Sequence, residues 1–218
     1  MAVHPNHSLP NKHTLYIGGT GSGKSQALKQ NPALPGRGKH VVLWDSGEDH
    51  KATRYRSFTA FARAYSRALL QAKGFRLALT LPGEERTPEM HEKFCQLIWL
   101  SLDGRYPIYM IDEELSSVCS SHHKAARYHS LLVNEGRKYG LIYHGTIQYP
   151  QELPKTVYRA CNTLWCGRQD VEAVDYVAKR LALPRTDIAA LKPLQFYVQD
   201  VGRGGDVKKV QLKYQKQQ

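Results

Sequence analysis

Cysteines, long apolar runs and acidic residues are all scarce in this sequence of 218 residues. The four cysteines follow no Cys-x-x-Cys spacing, which argues against a zinc site and indicates a reducing compartment. No run approaches the roughly 18 apolar residues that a membrane-spanning helix needs. The N-terminal residues contain no apolar core of signal-peptide length, so the sequence predicts a protein of the cytoplasm, or of a particle assembled there.

The shortage of acidic side chains leaves a strong positive charge. Lysine and arginine number 31 against 19 aspartates and glutamates, which gives a net charge of +12. A protein this basic favours a polyanionic partner, and nucleic acid is the usual one. A generally basic, soluble surface is the alternative interpretation. Hydrophobic residues make up 41% of the chain, which is typical of a globular protein.

Short apolar runs alternate with segments of helical spacing through most of the chain. Strands are predicted at 14–17, 41–44, 75–80, 107–111, 141–145 and 162–166, and helices at 24–29, 57–73, 87–102, 121–139 and 171–181. This alternation predicts an α/β fold with a mostly parallel sheet and helices on both faces. A C-terminal β-hairpin is predicted at about 195–212. We expect a flexible N-terminal segment over residues 1–12 and a single domain over residues 13–218.

The turn after the first predicted strand matches the P-loop motif G-x-x-x-x-G-K-[ST], also called Walker A. Its residues are Gly18, Gly19, Thr20, Gly21, Ser22, Gly23, Lys24 and Ser25. Glycines let the backbone N–H groups point at phosphate oxygens, and the following helix N-terminus adds partial positive charge. We expect Lys24 to reach the β- and γ-phosphates and the Ser25 hydroxyl to ligate Mg²⁺. The motif predicts binding of ATP with Mg²⁺, against a chance glycine-rich turn.

An acidic pair follows the apolar strand at 107–111, as in a Walker B motif. Asp112 is expected at the C-terminal edge of the sheet, where it would hold Mg²⁺ through the water shell of the ion. Glu113 comes next and points elsewhere, so it is the predicted general base for the attacking water. An acidic helix cap is the alternative interpretation. The acidic pair and the absence of an N-K-x-D motif favour ATP hydrolysis over a GTP switch.

Several later segments resemble the FtsK–HerA superfamily of DNA-pumping ATPases. They are Gly136-Arg137 before a strand that ends in Thr146-Ile-Gln148, Leu164-Trp-Cys-Gly-Arg168 before an acidic-capped helix, and Val42-Leu-Trp-Asp45-Ser-Gly47. The resemblance covers roughly residues 14–181. It implies a RecA-like ATPase core that assembles into a ring-shaped homo-oligomer, a hexamer by family analogy, around double-stranded DNA.

Two further catalytic candidates follow from these segments. A strand beside the acidic pair would place the Gln148 amide near the γ-phosphate, where it can donate to phosphate and accept from the attacking water. A surface-loop glutamine is the alternative. The resemblance makes Arg137 the candidate arginine finger, acting on the ATP of a neighbouring subunit. A solvated helix-end arginine is the alternative, and Arg159 and Arg168 are rival fingers.

The size of the chain makes it most similar to the genome-packaging ATPases of tailless, membrane-containing icosahedral viruses, the tectivirus-like lineage. The resemblance implies an ATP-driven DNA translocase that fills a preformed capsid, in the host cytoplasm or at the packaging vertex of the virion, with vertex proteins as partners. The alternatives are a Zot-like filamentous-phage assembly ATPase, a small-molecule P-loop kinase, and a vertex protein that binds nucleotide only to assemble. Candidate DNA contacts are the segment 116–127, Arg54, Arg56, Arg63 and Arg67.

Overall fold

The protein is described by a computed structural model over residues 2–34, 36, 38–71, 73–119, 121, 123–201 and 205–215. Within these ranges, one sheet contains nine strands. They are β1 (Thr14–Ile17), β2 (His40–Trp44), β3 (Thr53–Tyr55), β4 (Phe75–Leu79), β5 (Ile108–Asp112), β6 (Leu141–Ile147), β7 (Thr163–Cys166), β8 (Gln195–Asp200) and β9 (Val207–Gln211). The spatial order is β3-β4-β2-β5-β6-β1-β7-β8-β9. Strands β1 to β7 run parallel, and β8 pairs antiparallel with both β7 and β9.

Helices cover the two faces of this sheet unequally. They are α1 (Lys24–Gln30), α2 (Phe58–Leu70), α3 (Pro88–Ser101), α4 (Arg127–Glu135), α5 (Lys155–Ala160), α6 (Val171–Leu181) and α7 (Arg185–Ala189). Helices α2 to α7 pack into the larger apolar core, whereas α1 packs into the smaller core on the other face. Alternation sorts the strand residues, since Met110 of β5 faces the larger core and Ile111 the smaller one. The predicted α/β fold, with a mostly parallel sheet and helices on both faces, is confirmed.

The strand order gathers several loops at one edge of the sheet. Strand β6 lies between β1 and β5, and β2 lies on the other side of β5. Because these strands are parallel, their carboxyl ends meet at the same edge. The turn after β1 and the residues that follow β2, β5 and β6 are therefore neighbours. Open α/β sheets bind their ligands at this edge.

The start of α4 departs from the sequence prediction. A helix beginning at Ser121 is wrong, because α4 begins at Arg127. Its first turn is capped from another helix: a carboxylate oxygen of Glu92 in α3 accepts from the backbone N–H of Tyr128 at 2.6 Å, and the other oxygen accepts from that of His129 at 3.2 Å. The sequence around α4 gives no sign of this partner. The short elements β3, α5 and α7 are also missing from the sequence predictions.

The N-terminal segment lies near the amino ends of the parallel strands, opposite the P-loop. The backbone N–H of Asn6 donates to the carbonyl of Lys138 at 2.7 Å, and the Arg137 guanidinium donates to the carbonyls of His7 (3.1 Å) and Leu9. The expected flexibility of residues 1–12 and the single-domain boundaries remain predictions.

The predicted C-terminal hairpin is present as β8 and β9, and the centre of its turn, residues 202–204, lies outside the described residues. Among the described residues, no helix is both long enough and apolar enough to span a membrane.

Candidate nucleotide-binding site

The turn between β1 and α1 has the geometry of a phosphate-binding loop. Gly21 and Gly23 have φ values of 71° and 99°, in the left-handed region that glycine adopts without strain. A Cβ atom on Gly23 would come within 2.7 Å of Leu194 Cδ2. Lys24 Nζ donates to the carbonyl of Gly18 at 2.7 Å, so the lysine side chain folds back over the loop. The strand, turn and helix that the P-loop motif requires are all in place.

Backbone groups from distant segments support this turn. The N–H of Gly19 donates to the carbonyl of Arg168 at 2.9 Å, and the N–H of Leu194 donates to the carbonyl of Ser22 at 2.9 Å. Leu194 adopts a φ of 66°, a conformation that costs energy for a residue with a side chain. The contact between Leu194 and the P-loop therefore holds this residue in an unfavourable backbone conformation.

The C-terminal segment runs along α1, the helix that the P-loop opens. Gln26 Nε2 donates to the carbonyl of Gln215, and its Oε1 accepts from the N–H of the same residue, both at 2.9 Å. Gln30 Nε2 donates to the carbonyl of Lys213 at 2.7 Å. These bonds tie the residues after β9 to the nucleotide-binding helix.

Gln148 lies beside the P-loop, directly after β6. Its Oε1 accepts a hydrogen bond from Thr20 Oγ1 at 3.0 Å, and its Nε2 donates to Glu114 Oε2 at 2.9 Å. The expected adjacency of this strand to the acidic strand is observed, since β6 pairs with both β5 and β1. The amide thus connects the P-loop to an acidic side chain.

Asp112 lies on the opposite face of the sheet from the P-loop helix, which corrects its predicted position. Its buried carboxylate accepts hydrogen bonds from His91 Nε2 and the Tyr143 hydroxyl, each at 3.0 Å. Burial raises the pKa of Asp112, but the charge and hydrogen bond of His91, with smaller effects from His129 and Tyr143, lower it overall. Asp112 shares its face with Met110, because side chains two positions apart in a strand point the same way. The structure therefore does not bring Asp112 to the predicted magnesium position.

Glu113 and Glu114 are the carboxylates on the P-loop side. Glu113 Oε1 lies 2.5 Å from His50 Nε2, and its Oε2 accepts from Thr146 Oγ1 at 2.6 Å. Burial raises the pKa of Glu113, but these hydrogen bonds and the positive charges of His50 and Lys24 lower it overall. The Glu114 carboxylate accepts the hydrogen bond from the side-chain amide of Gln148.

The electrostatic surroundings of Lys24 support this assignment of faces. Burial lowers the pKa of Lys24, and nearby negative charges oppose that effect. The opposing carboxylates, in decreasing order of influence, are Glu114, Glu113, Asp49 and Asp170. Asp112 is not one of them. The acidic residues of this strand end that act on the P-loop lysine are thus one position later than the sequence predicts.

The loop after β2 completes the site. Ser25 Oγ donates to Asp49 Oδ2 at 3.2 Å. Asp45, which is fully buried, accepts from the backbone N–H groups of Asp49 (3.0 Å) and His50 (3.4 Å) and from Arg54 Nη2 (3.1 Å). Asp45 therefore fixes the loop that brings Asp49 to the P-loop and His50 to the acidic strand.

Four residues of this site are missing from the sequence predictions: Asp49, His50, Thr146 and Glu114. One signal was present in the sequence, because an acidic and histidine-containing loop follows the second predicted strand. That signal could be placed at the nucleotide site only with knowledge of the order of the strands in the sheet. A β2 strand next to β5 brings that loop to the same edge as the acidic residues, and the sequence does not give this order.

The three candidate finger arginines lie in different places. Arg137 bonds the N-terminal segment of its own chain. Arg168 is exposed, and its Nη2 donates to the carbonyl of Thr20 in its own P-loop at 3.0 Å. Arg159 is exposed in the last turn of α5. The role of Arg137 as a finger stays a prediction.

The donor atoms beside the P-loop suit magnesium. Ser25 offers a hydroxyl oxygen and Glu113 a carboxylate, and Mg²⁺ prefers such oxygen ligands. Across the described ranges, no group of three or more His, Cys, Asp or Glu residues is arranged to hold a metal ion. Magnesium in nucleotide sites keeps several waters and shares phosphate oxygens, so it needs only one or two protein ligands. The residues therefore fit an ion that arrives with a nucleotide.

Comparisons with known proteins identify a phage protein of similar sequence and two solved structures of similar fold. No established family profile matches the chain. Protein P9 of Pseudoalteromonas phage PM2 is 34% identical over 215 residues, which cover 94% of each chain. The genome packaging NTPase B204 of Sulfolobus turreted icosahedral virus 2, solved with AMPPCP, superposes with a TM-score of 0.73 at 16% identity, over 94% of this chain and 100% of B204. The bacterial conjugative coupling protein TrwBdeltaN70 gives a TM-score of 0.68 at 14% identity, over 96% of this chain and 86% of that one.

Proposed function

Because this chain belongs to the family of phage PM2 protein P9 and to the FtsK–HerA superfamily of P-loop ATPases, we propose that it hydrolyses ATP to move double-stranded DNA into a viral capsid. The observation that best supports hydrolysis is the hydrogen-bonded path from Thr20 through Gln148 to Glu114. It joins the phosphate-binding turn to a carboxylate, which is the arrangement needed to sense a γ-phosphate and activate a water beside it.

The chemistry assigns one role to each group on the P-loop side. The α1 N-terminus and Lys24 would bind the phosphates, and Lys24 would stabilise negative charge that develops on the transferred phosphoryl group. Glu114 would accept a proton from the attacking water, one position later than predicted, and Gln148 would orient that water. Ser25 and Glu113 would hold Mg²⁺, which when bound with ATP neutralises charge on the β- and γ-phosphates. The lowered pKa of Glu113 suits a permanently charged metal partner better than a proton acceptor.

Transport of DNA is supported by charge and by the relatives. The net charge is +12, and the similarly folded B204 is a genome packaging NTPase. Of the candidate arginines, Arg54 pairs with Asp45 and Arg56 with Glu48. Arg63 and Arg67 lie on the exposed side of α2. We therefore favour the exposed side of α2, together with the segment 116–127, for contacts with phosphates. His122 of that segment lies outside the described residues.

We further propose, from the family resemblance, that the active form is a homo-oligomeric ring in the host cytoplasm or at the packaging vertex of the virion. An arginine from each subunit would complete the ATP site of the next one. Mixing subunits tests which arginine it is. If Arg137 acts in trans, Arg137→Ala and Lys24→Ala proteins are each inactive but recover turnover when mixed. Arg159→Ala and Arg168→Ala proteins mixed in the same way test the rival fingers.

ATP turnover with and without double-stranded DNA tests the whole proposal. We expect Mg²⁺-dependent hydrolysis that DNA stimulates, no nucleotide binding in Lys24→Ala, and binding without hydrolysis in Glu114→Gln. Glu172→Gln, which neutralises an exposed carboxylate on α6, is the matched control and should behave as wild type. Absence of turnover with Mg²⁺ and DNA would favour the assembly role. Stimulation by a small phosphate acceptor instead of DNA would indicate a kinase.

A further inference from the structure

The loop after β2, residues 45–50, contacts both protein groups that would meet magnesium. Its Asp49 carboxylate accepts the hydrogen bond of the Ser25 hydroxyl at 3.2 Å. Its His50 ring, which is 2% exposed, lies with Nε2 2.5 Å from an oxygen of Glu113. The buried Asp45 carboxylate holds the backbone of both loop residues through their N–H groups. One loop, held by Asp45, therefore touches the P-loop helix on one side and the acidic strand on the other.

The Ser25 contact determines the direction of the hydroxyl lone pairs. A serine hydroxyl has one proton to donate and two lone pairs that can accept a hydrogen bond or bind a cation. With its proton committed to Asp49, the hydroxyl presents its lone pairs away from that carboxylate. An acceptor in this position leaves the serine oxygen ready to bind a metal ion without rotation of the hydroxyl.

The Glu113 contact fixes the plane of a carboxylate. His50 occupies one oxygen, and Thr146 donates to the other at 2.6 Å. Each oxygen keeps a further lone pair, since a carboxylate has about four acceptor positions in all. The group is therefore held in one orientation but can still bind an ion or its water shell.

We propose that Asp49 and His50 are positioning residues that aim the Ser25 hydroxyl and the Glu113 carboxylate at the magnesium ion accompanying the nucleotide. This inference rests on the proposed ATPase function. Glu113 would then take the part that the sequence assigns to Asp112, and the loop after β2 would orient it. Partners of metal ligands act by orientation, and their loss weakens metal binding about 10–100-fold in characterised proteins.

The test compares nucleotide affinity with and without Mg²⁺, measured by calorimetry with a non-hydrolysable ATP analogue. Asp49→Ala removes the acceptor for Ser25, whereas Asp49→Asn keeps a carbonyl oxygen in its place. His50→Leu removes the donor for Glu113, whereas His50→Gln keeps an N–H group. Glu48→Gln is the matched control, because Glu48 lies in the same loop but its carboxylate pairs with Arg56 at 2.6 Å and with Arg54 at 3.7 Å, rather than with Ser25 or Glu113.

We expect the gain in affinity from Mg²⁺ to fall about 10–100-fold in Asp49→Ala and His50→Leu, with affinity in its absence unchanged. Asp49→Asn and His50→Gln should retain most of the gain, and Glu48→Gln all of it. An undiminished gain in Asp49→Ala and His50→Leu would overturn the inference, as would an equal loss of affinity with and without Mg²⁺. If His50→Leu does not fold, the two Asp49 variants decide. A wild type that binds no nucleotide would instead refute the proposed function.

Discussion

Replacement of Asp112 separates the sequence-based interpretation of this protein from the structural one. If Asp112 holds magnesium, Asp112→Ala should abolish the effect of Mg²⁺ on nucleotide binding and leave the fold intact. The structure predicts the reverse. Its carboxylate accepts hydrogen bonds from His91 and Tyr143 in the larger core, on the face away from the P-loop helix.

The expected loss of stability follows from these two bonds. A hydrogen bond to a charged group contributes roughly 1.5–3 kcal/mol, and breaking a buried ionic pair costs about 3–5 kcal/mol. We therefore expect Asp112→Ala to lower the free energy of unfolding by about 4 kcal/mol. The unfolding entropy of a chain of 218 residues is about 0.46 kcal/mol/K, so the melting temperature should fall by roughly 9 °C.

Thermal denaturation and calorimetric binding of an ATP analogue at a temperature where the variant remains folded provide the two measurements. Tyr143→Phe is a graded control, since it removes one of the two donors and should cost about 2 kcal/mol or less. The reasoning is refuted if Asp112→Ala melts like wild type while nucleotide binding loses its dependence on Mg²⁺.

Three other predictions test the site and the core. Glu114→Gln should slow ATP hydrolysis by roughly 10²–10⁴-fold with nucleotide affinity retained, and a rate near that of wild type would exclude Glu114 as the base. Gly23→Ala should impair nucleotide binding, because its φ of 99° and the Leu194 side chain 2.7 Å from the new Cβ both oppose it; unchanged affinity would contradict this. Burial lowers the pKa of three neutral histidines, to about 4 for His13 and His129 and to about 3 for His144. Below pH 6.5 the unfolded chain binds more protons than the folded one at these histidines. Their contribution to the free energy of unfolding is therefore fully present above pH 6.5 and is lost as the pH falls towards 4, by roughly 2 kcal/mol per histidine at pH 5. Equal urea stability at pH 7 and pH 5 would disprove the last prediction.

The sequence predicts the P-loop and most strands because their signals are local. Gly18 to Ser25 form a motif that describes its own backbone, and the apolar strands are bounded by turn residues. The approximate bounds of β1, β2, β4 and β5 follow from these signals alone. The resemblance singled out the segment that contains Gln148, but its place between the P-loop and the acidic strand depends on a strand order that the residues themselves do not state.

The roles within Asp112-Glu113-Glu114 could not be predicted for a physical reason. Strand β5 is buried on both faces, so both of its alternating sets of side chains are apolar and neither set marks the P-loop side. A strand exposed on one face would have shown which acid points where. Distance in sequence hides the rest, since His50 lies 63 positions from Glu113.

The pairing of Gln26 with Gln215 has a consequence for how the protein matures. The two residues are 189 positions apart. Leu194, which hydrogen-bonds Ser22 of the P-loop, is similarly distant from it in the sequence. Contacts between such remote segments form late in folding, because a long stretch of chain must first be ordered. A ribosome-bound chain would thus contain the complete glycine-rich motif long before it could bind a nucleotide. The ability to bind ATP would be among the last properties that a newly made molecule acquires.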